Sequence, residues 1–113
     1  MSRMRLEVAC YGRTKAVLSA HRNSATHAPV WLAEIYYEPP RAQAIQVVAI
    51  VGTEGDQPRF EMPQDLDGVR HCIWLGHSCI EVPAASWKAL KAFADVGVPH
   101  GAASGDVCKV VRA

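Results

Sequence analysis

The stretch from Val69 to Val82 constrains this chain more than any other. Leu75-Gly76-His77-Ser78 places glycine at the first central position of a type II′ turn, the tight connection that suits the twist of paired strands. Folded there, Trp74 faces Cys79, Ile73 faces Ile80 and Cys72 faces Glu81. One face then presents Ile73, Leu75, Ile80 and Val82, and the other presents Cys72, Trp74, Cys79 and Glu81. A hairpin with one wholly apolar face must pack that face on something.

Pro83 follows and opens a helix over residues 83–96, because proline suits a first turn whose N–H groups lack partners anyway. Ala89, Leu90, Phe93 and Val96 form the apolar stripe, with Lys88, Lys91 and Asp95 outward. Gly97 sits where a left-handed C-cap belongs, and Pro99 lies just beyond.

Upstream, Arg3 to Ala9 alternates as a half-buried strand, and Thr14 to Ala20 returns after the turn at Tyr11-Gly12-Arg13. Val30 to Glu38 has the aromatic and β-branched content of a strand, with a short helix capped by Thr26 as the alternative. Pro39-Pro40 ends it either way. Ala44 to Val51 is nearly all apolar and reads as a central strand covered on both faces. Pro58 to Met62 is a short partner strand, Pro63 to Gly68 an acidic loop, and Val107 to Val111 a last strand. The expected architecture is α+β: a single two-layer domain over residues 1–113, with an antiparallel or mixed sheet of about six strands. One late helix packs on one face of it.

A chain of 113 residues has room for one domain. The longest apolar run is Val47–Val51, where a membrane span needs about 20 residues, and no secretory signal is visible, so a cytoplasmic protein without a membrane partner is expected. Net charge is +1, which makes no general case for nucleic acid. Charge is nevertheless segregated: residues 1–25 carry five basic side chains against Glu7, while residues 26–67 carry seven acidic ones against Arg41 and Arg59. The plainer reading of that asymmetry is a basic strand beside an acidic one.

Cys10, Cys72, Cys79 and Cys108 lie beside strand-like apolar residues and form no CxxC pair, so reduced, mostly buried thiols are expected. The segment 71–79 could supply metal ligands (Cys72, His77, Cys79, with His71 or a distant His21, His27 or His100). It could equally supply a thiol nucleophile, Cys72 or Cys79, with His77 or His71 and Glu81. Neither has the spacing of a built site, and no cofactor motif occurs. The Gly-rich run His100–Asp106 leads into a strand, so it reads as a loop and not an anion cradle.

The run Cys79-Ile-Glu-Val-Pro-Ala-Ala-Ser-Trp87-Lys-Ala-Leu90 resembles the strand-into-helix junction of the transcriptional-coactivator family that binds single-stranded DNA. The resemblance covers about a dozen residues of a generic amphipathic pattern. The basic residues that precede the strand in that family are replaced here by Leu75-Gly76-His77-Ser78, so no role is carried over.

Three functions follow as expectations. The first is a non-enzymatic docking module, such as a regulator or inhibitor carried on a mobile element or phage. It would bind a protein partner or a second copy through Trp74, Trp31, Tyr36 and Tyr37, since aromatics anchor interfaces. On that reading Trp74→Ala weakens association by about 2 kcal/mol. The second is nucleic-acid binding by Arg3, Arg5, Arg13, Lys15 and Arg22, with Tyr11 stacking on a base. The third is a small metal or thiol enzyme at residues 71–79.

Overall fold

Burial in the first three strands determines where the core lies: it alternates at Met4, Leu6 and Val8 and at Trp31 and Ala33, while Ala16–Ala20 between them are all buried. The computed structural model describes residues 3–41, 44–98 and 106–111. The chain forms β1 (Arg3–Ala9), β2 (Thr14–Arg22), β3 (Pro29–Tyr37) and β4 (Gln46–Glu54), then the short β5 (Arg59–Glu61), β6 (Gln64–Asp65) and β7 (Gly68–Val69). β8 (Cys72–Leu75) and β9 (Ser78–Glu81) precede α1 (Ala84–Asp95), and β10 (Asp106–Val111) closes the order.

Five strands make the main sheet, in the order β10-β1-β2-β3-β4, with β10 parallel to β1 and the other neighbours antiparallel. The mostly antiparallel sheet and single helix make the fold α+β. It is not one six-stranded sheet: β5, β8 and β9 form a separate three-stranded sheet, and β6–β7 a two-stranded ribbon inside the expected acidic loop. The reason is the apolar face of the hairpin. Ile73, Leu75, Ile80 and Val82 turn inward and pack flat on the main sheet beside α1, where they cover its core and do not extend its edge.

Leu6, Val8, Ala16, Leu18, Ala20, Trp31 and Ala33 supply the main sheet's half of that core. Trp87, Leu90, Ala94 and Val98 supply the helical part of the other half. The pairing of β8 with β9 is Cys72↔Glu81, Ile73↔Ile80, Trp74↔Cys79 and Leu75↔Ser78, the register that the sequence implies. Gly76 takes φ +62°, the left-handed value the turn needs at that position.

Two expectations are corrected. The helix begins one residue later, with Pro83 as N-cap, and its buried stripe is Ser86, Trp87, Leu90 and Ala94. Val96 is 79% exposed, because α1 ends at Asp95 and Gly97, at φ +81°, turns the chain away. β4 is the larger correction. It is not a central strand but the edge of the main sheet, paired with β3 alone among the described residues.

Candidate docking edge

Of the aromatic set, Trp31 has no exposed surface; it lies in the core against Phe93, edge to face at 6.5 Å. It therefore offers no docking anchor. Tyr36 and Tyr37 are half-buried at the end of β3, opposite Val47 and Gln46 of β4, and the Tyr36 hydroxyl donates to the Glu34 carboxylate. Trp74 is half-buried on the outward face of the second layer, where the Arg59 guanidinium lies over its ring at 5.6 Å. Trp87, absent from the sequence-derived set, holds the second layer together. Its Nε1–H donates to the Cys72 carbonyl at 3.0 Å, and its ring meets Phe60 and His71.

The basic hairpin is largely committed within the fold. Lys15 bridges Glu7 at 3.2 Å and Glu38 at 2.7 Å, and these partners raise its pKa above the ordinary 10.5. Arg13 donates to the Glu38 carbonyl, and Arg22 to the carbonyls of His27 and Val98. Arg5 lies 3.8 Å from Glu7. The Arg3 side chain lies outside the described residues. Tyr11 exposes its ring but donates its hydroxyl to the Val82 carbonyl, which ties the β1–β2 turn to the end of β9. The segregated charges of the sequence thus meet across β2 and β3, where Lys15 of the basic segment reaches Glu38 of the acidic one.

In residues 71–79 the hairpin register puts Cys72 and Cys79 diagonally on one face, with Cys72 buried and Cys79 exposed at its rim. Burial pushes the Cys79 thiol above its ordinary 9.0, and the neighbouring Cys72 adds to the rise. A nucleophilic thiol needs the opposite shift. Cys10, Cys72 and Cys79 are all free thiols. Among the described residues no three of His, Cys, Asp and Glu converge closely enough to hold a metal ion, so Cys72, His77 and Cys79 do not form a ligand set. His100, the loop after it and the Cys108 side chain lie outside the described residues.

The feature that stands out was missed from the sequence. Ile45, just before β4, and Val47, Val48 and Ile50 within it are 60%, 55%, 59% and 58% exposed, on a strand that pairs with β3 alone among the described residues. Ala49, Val51 and Thr53 alternate with exposed neighbours and are half-covered by the second layer, which packs β8 and β9 against β4. Native edges are normally protected by lysine, proline, short length, β-bulges or covering segments. Residues 42–53 contain no charge and no proline, and β4 is nine residues long. One irregularity interrupts it: the register shifts at Ile35/Tyr36, which leaves Val48 out of the β3 pairing. The composition that marks this strand as apolar is equally that of a buried central strand, so no local signal separated the two.

No helix among the described residues is long and apolar enough to cross a membrane. Comparison with known protein families, characterised proteins and solved structures finds no match.

Proposed function

We propose that this protein is a non-enzymatic docking module whose contact surface is the exposed edge of β4, flanked by Tyr36 and Leu32 of β3. The carrying observation is the exposure of Val47, Val48 and Ile50, with Ile45 just before them, on a strand that pairs with β3 and with no other strand among the described residues. An unpaired edge offers a row of backbone donors and acceptors, and a second strand laid against it satisfies them while covering the side chains. Apolar exposure of this kind marks interaction sites. Free thiols suit a reducing compartment, in keeping with a cytoplasmic setting.

A photo-crosslinking residue at Val48, compared with one at exposed Leu66 in the acidic loop, tests this reading in cells. The expected result is a discrete crosslinked species from position 48, absent from position 66 and lost when Ile50→Lys is added. Equal, diffuse labelling from both positions overturns the reading.

A further inference from the structure

We propose that Cys72 and Cys79 form a dithiol that a small peroxide oxidises reversibly to a disulfide across the β8–β9 hairpin. The register Cys72↔Glu81 and Trp74↔Cys79 sets the two cysteines diagonally on the face turned away from Ile73 and Ile80. Both thiols are free, and they lie within hydrogen-bonding reach of each other. Burial gives them different parts. Cys79 is exposed, where a dissolved oxidant meets it, and Cys72 is 3% exposed, where a neighbouring side chain meets it instead.

The Cys79 thiolate attacks one peroxide oxygen, the O–O bond breaks, and the hydroxide released takes up the thiol proton as water. A sulfenic acid remains on Cys79. The Cys72 sulfur then attacks the Cys79 sulfur, the S–O bond breaks, and the Cys72 proton leaves with the hydroxide as a second water. Two thiols and one hydrogen peroxide become one disulfide and two waters; each sulfur loses one electron and the peroxide gains two. Burial holds the proton on Cys79, so the first step is slow at neutral pH, and the bond is judged by its pairing and reversibility.

Diagonal neighbours on one sheet face stand about 7–8 Å apart at Cα, beyond the span of about 4.4–6.8 Å that a relaxed disulfide takes. Closing the bond therefore draws β9 along β8. β9 can follow, because it ends the three-stranded sheet and pairs with β8 alone among the described residues. A bond closed in this way holds strain, and strained disulfides are the readily reduced, regulatory ones. Cys10 is the rival partner, since its thiol donates at 3.7 Å to the carbonyl of Glu81, the register partner of Cys72.

Treatment of the full, folded chain with hydrogen peroxide, then peptic digestion at low pH and mass spectrometry, reads the pairing directly. The expected product is a single chain two hydrogens lighter, with Cys72 linked to Cys79, and reduced glutathione restores both thiols. Cys79→Ser, at an exposed position, is expected to abolish the link without loss of fold, which circular dichroism reports. Cys10→Ser is expected to leave the link in place. A wild-type chain that accumulates sulfinic acid on Cys79 with no link to Cys72 overturns the proposal. A link from Cys79 to Cys10 or Cys108 overturns the pairing, and a bond that glutathione does not reduce overturns its reversibility.

Discussion

Leu32 occupies the space that a side chain at Gly52 would need. Its Cδ2 stands 2.7 Å from where a Cβ on Gly52 would be, and the Trp31 carbonyl oxygen stands at 3.1 Å. The two residues are register partners, so this contact seats β4 on β3. Gly52→Ala should therefore destabilise by about 1 kcal/mol, overpacking outweighing the gain in strand propensity. In a Leu32→Ala background the same change should be neutral or stabilising. Urea denaturation of the four proteins gives the coupling, and additive effects would contradict the contact.

Trp87 links α1 to β8 through its Nε1–H bond to the Cys72 carbonyl. Trp87→Phe keeps most of the ring and removes the donor, so a loss of about 1–3 kcal/mol is expected from the smaller volume and the lost bond. Chemical denaturation checks this; a loss below about 0.5 kcal/mol would place the energetic link between helix and hairpin elsewhere.

The hairpin and helix were legible because their signals are local. Gly76 satisfies a turn geometry, Ile73 and Ile80 pair across it, and Gly97 ends the helix in the left-handed conformation it alone accommodates easily. The phase of the helix was less legible. Ser86 and Ala94 are buried because small residues let α1 approach the main sheet (the Ser86 hydroxyl donates to the Ala9 carbonyl), and no scale of hydrophobicity marks a serine as core. The position of β4 was not legible at all. Whether Val47–Val51 lies in the middle or at the edge depends on where the β8–β9 hairpin packs, a non-local outcome that residues 44–51 do not encode.

Trp74 separates the present account from one built on aromatic anchors. Its ring lies on the outward face of the second layer under Arg59, whereas Val48 and Ile50 belong to the main sheet. Trp74→Ala should leave the crosslink formed from position 48 in place, since Trp74 is not part of β4. Arg59→Ala should cost stability by no more than about 0.5–1 kcal/mol, the scale of an exposed cation–π contact. Crosslinking from position 48 in a Trp74→Ala background decides between the two; loss of the crosslinked species in a folded variant would restore Trp74 as an anchor.

Alkaline pH should unfold the protein progressively. Burial raises the Cys79 thiol above 9.0 and the Tyr11 phenol above 10.0, while Glu38 and Glu7 raise the Lys15 ammonium above 10.5. In each case the folded chain binds its proton more tightly than the unfolded chain does. Stability is then fully present below the unfolded values and falls as pH rises through this range. Cys79→Ser should remove the earliest part of the fall, beginning near pH 9.0, and leave the later part in place. Thermal melts from pH 8 to 11 give the profile; a Tm that rises with pH over this interval would contradict these proton affinities.

Amide hydrogen exchange at low and high protein concentration reads the β4 edge itself, because an edge strand that gains a partner must protect amides that otherwise face water. If two copies dock, exchange of residues 46–54 should slow as concentration rises, with Ser78–Glu81 of β9 unchanged as the internal control. Unchanged exchange across residues 46–54 in a chain that sediments as a dimer would show that the copies meet elsewhere, and would contradict the assignment of β4 as the docking edge.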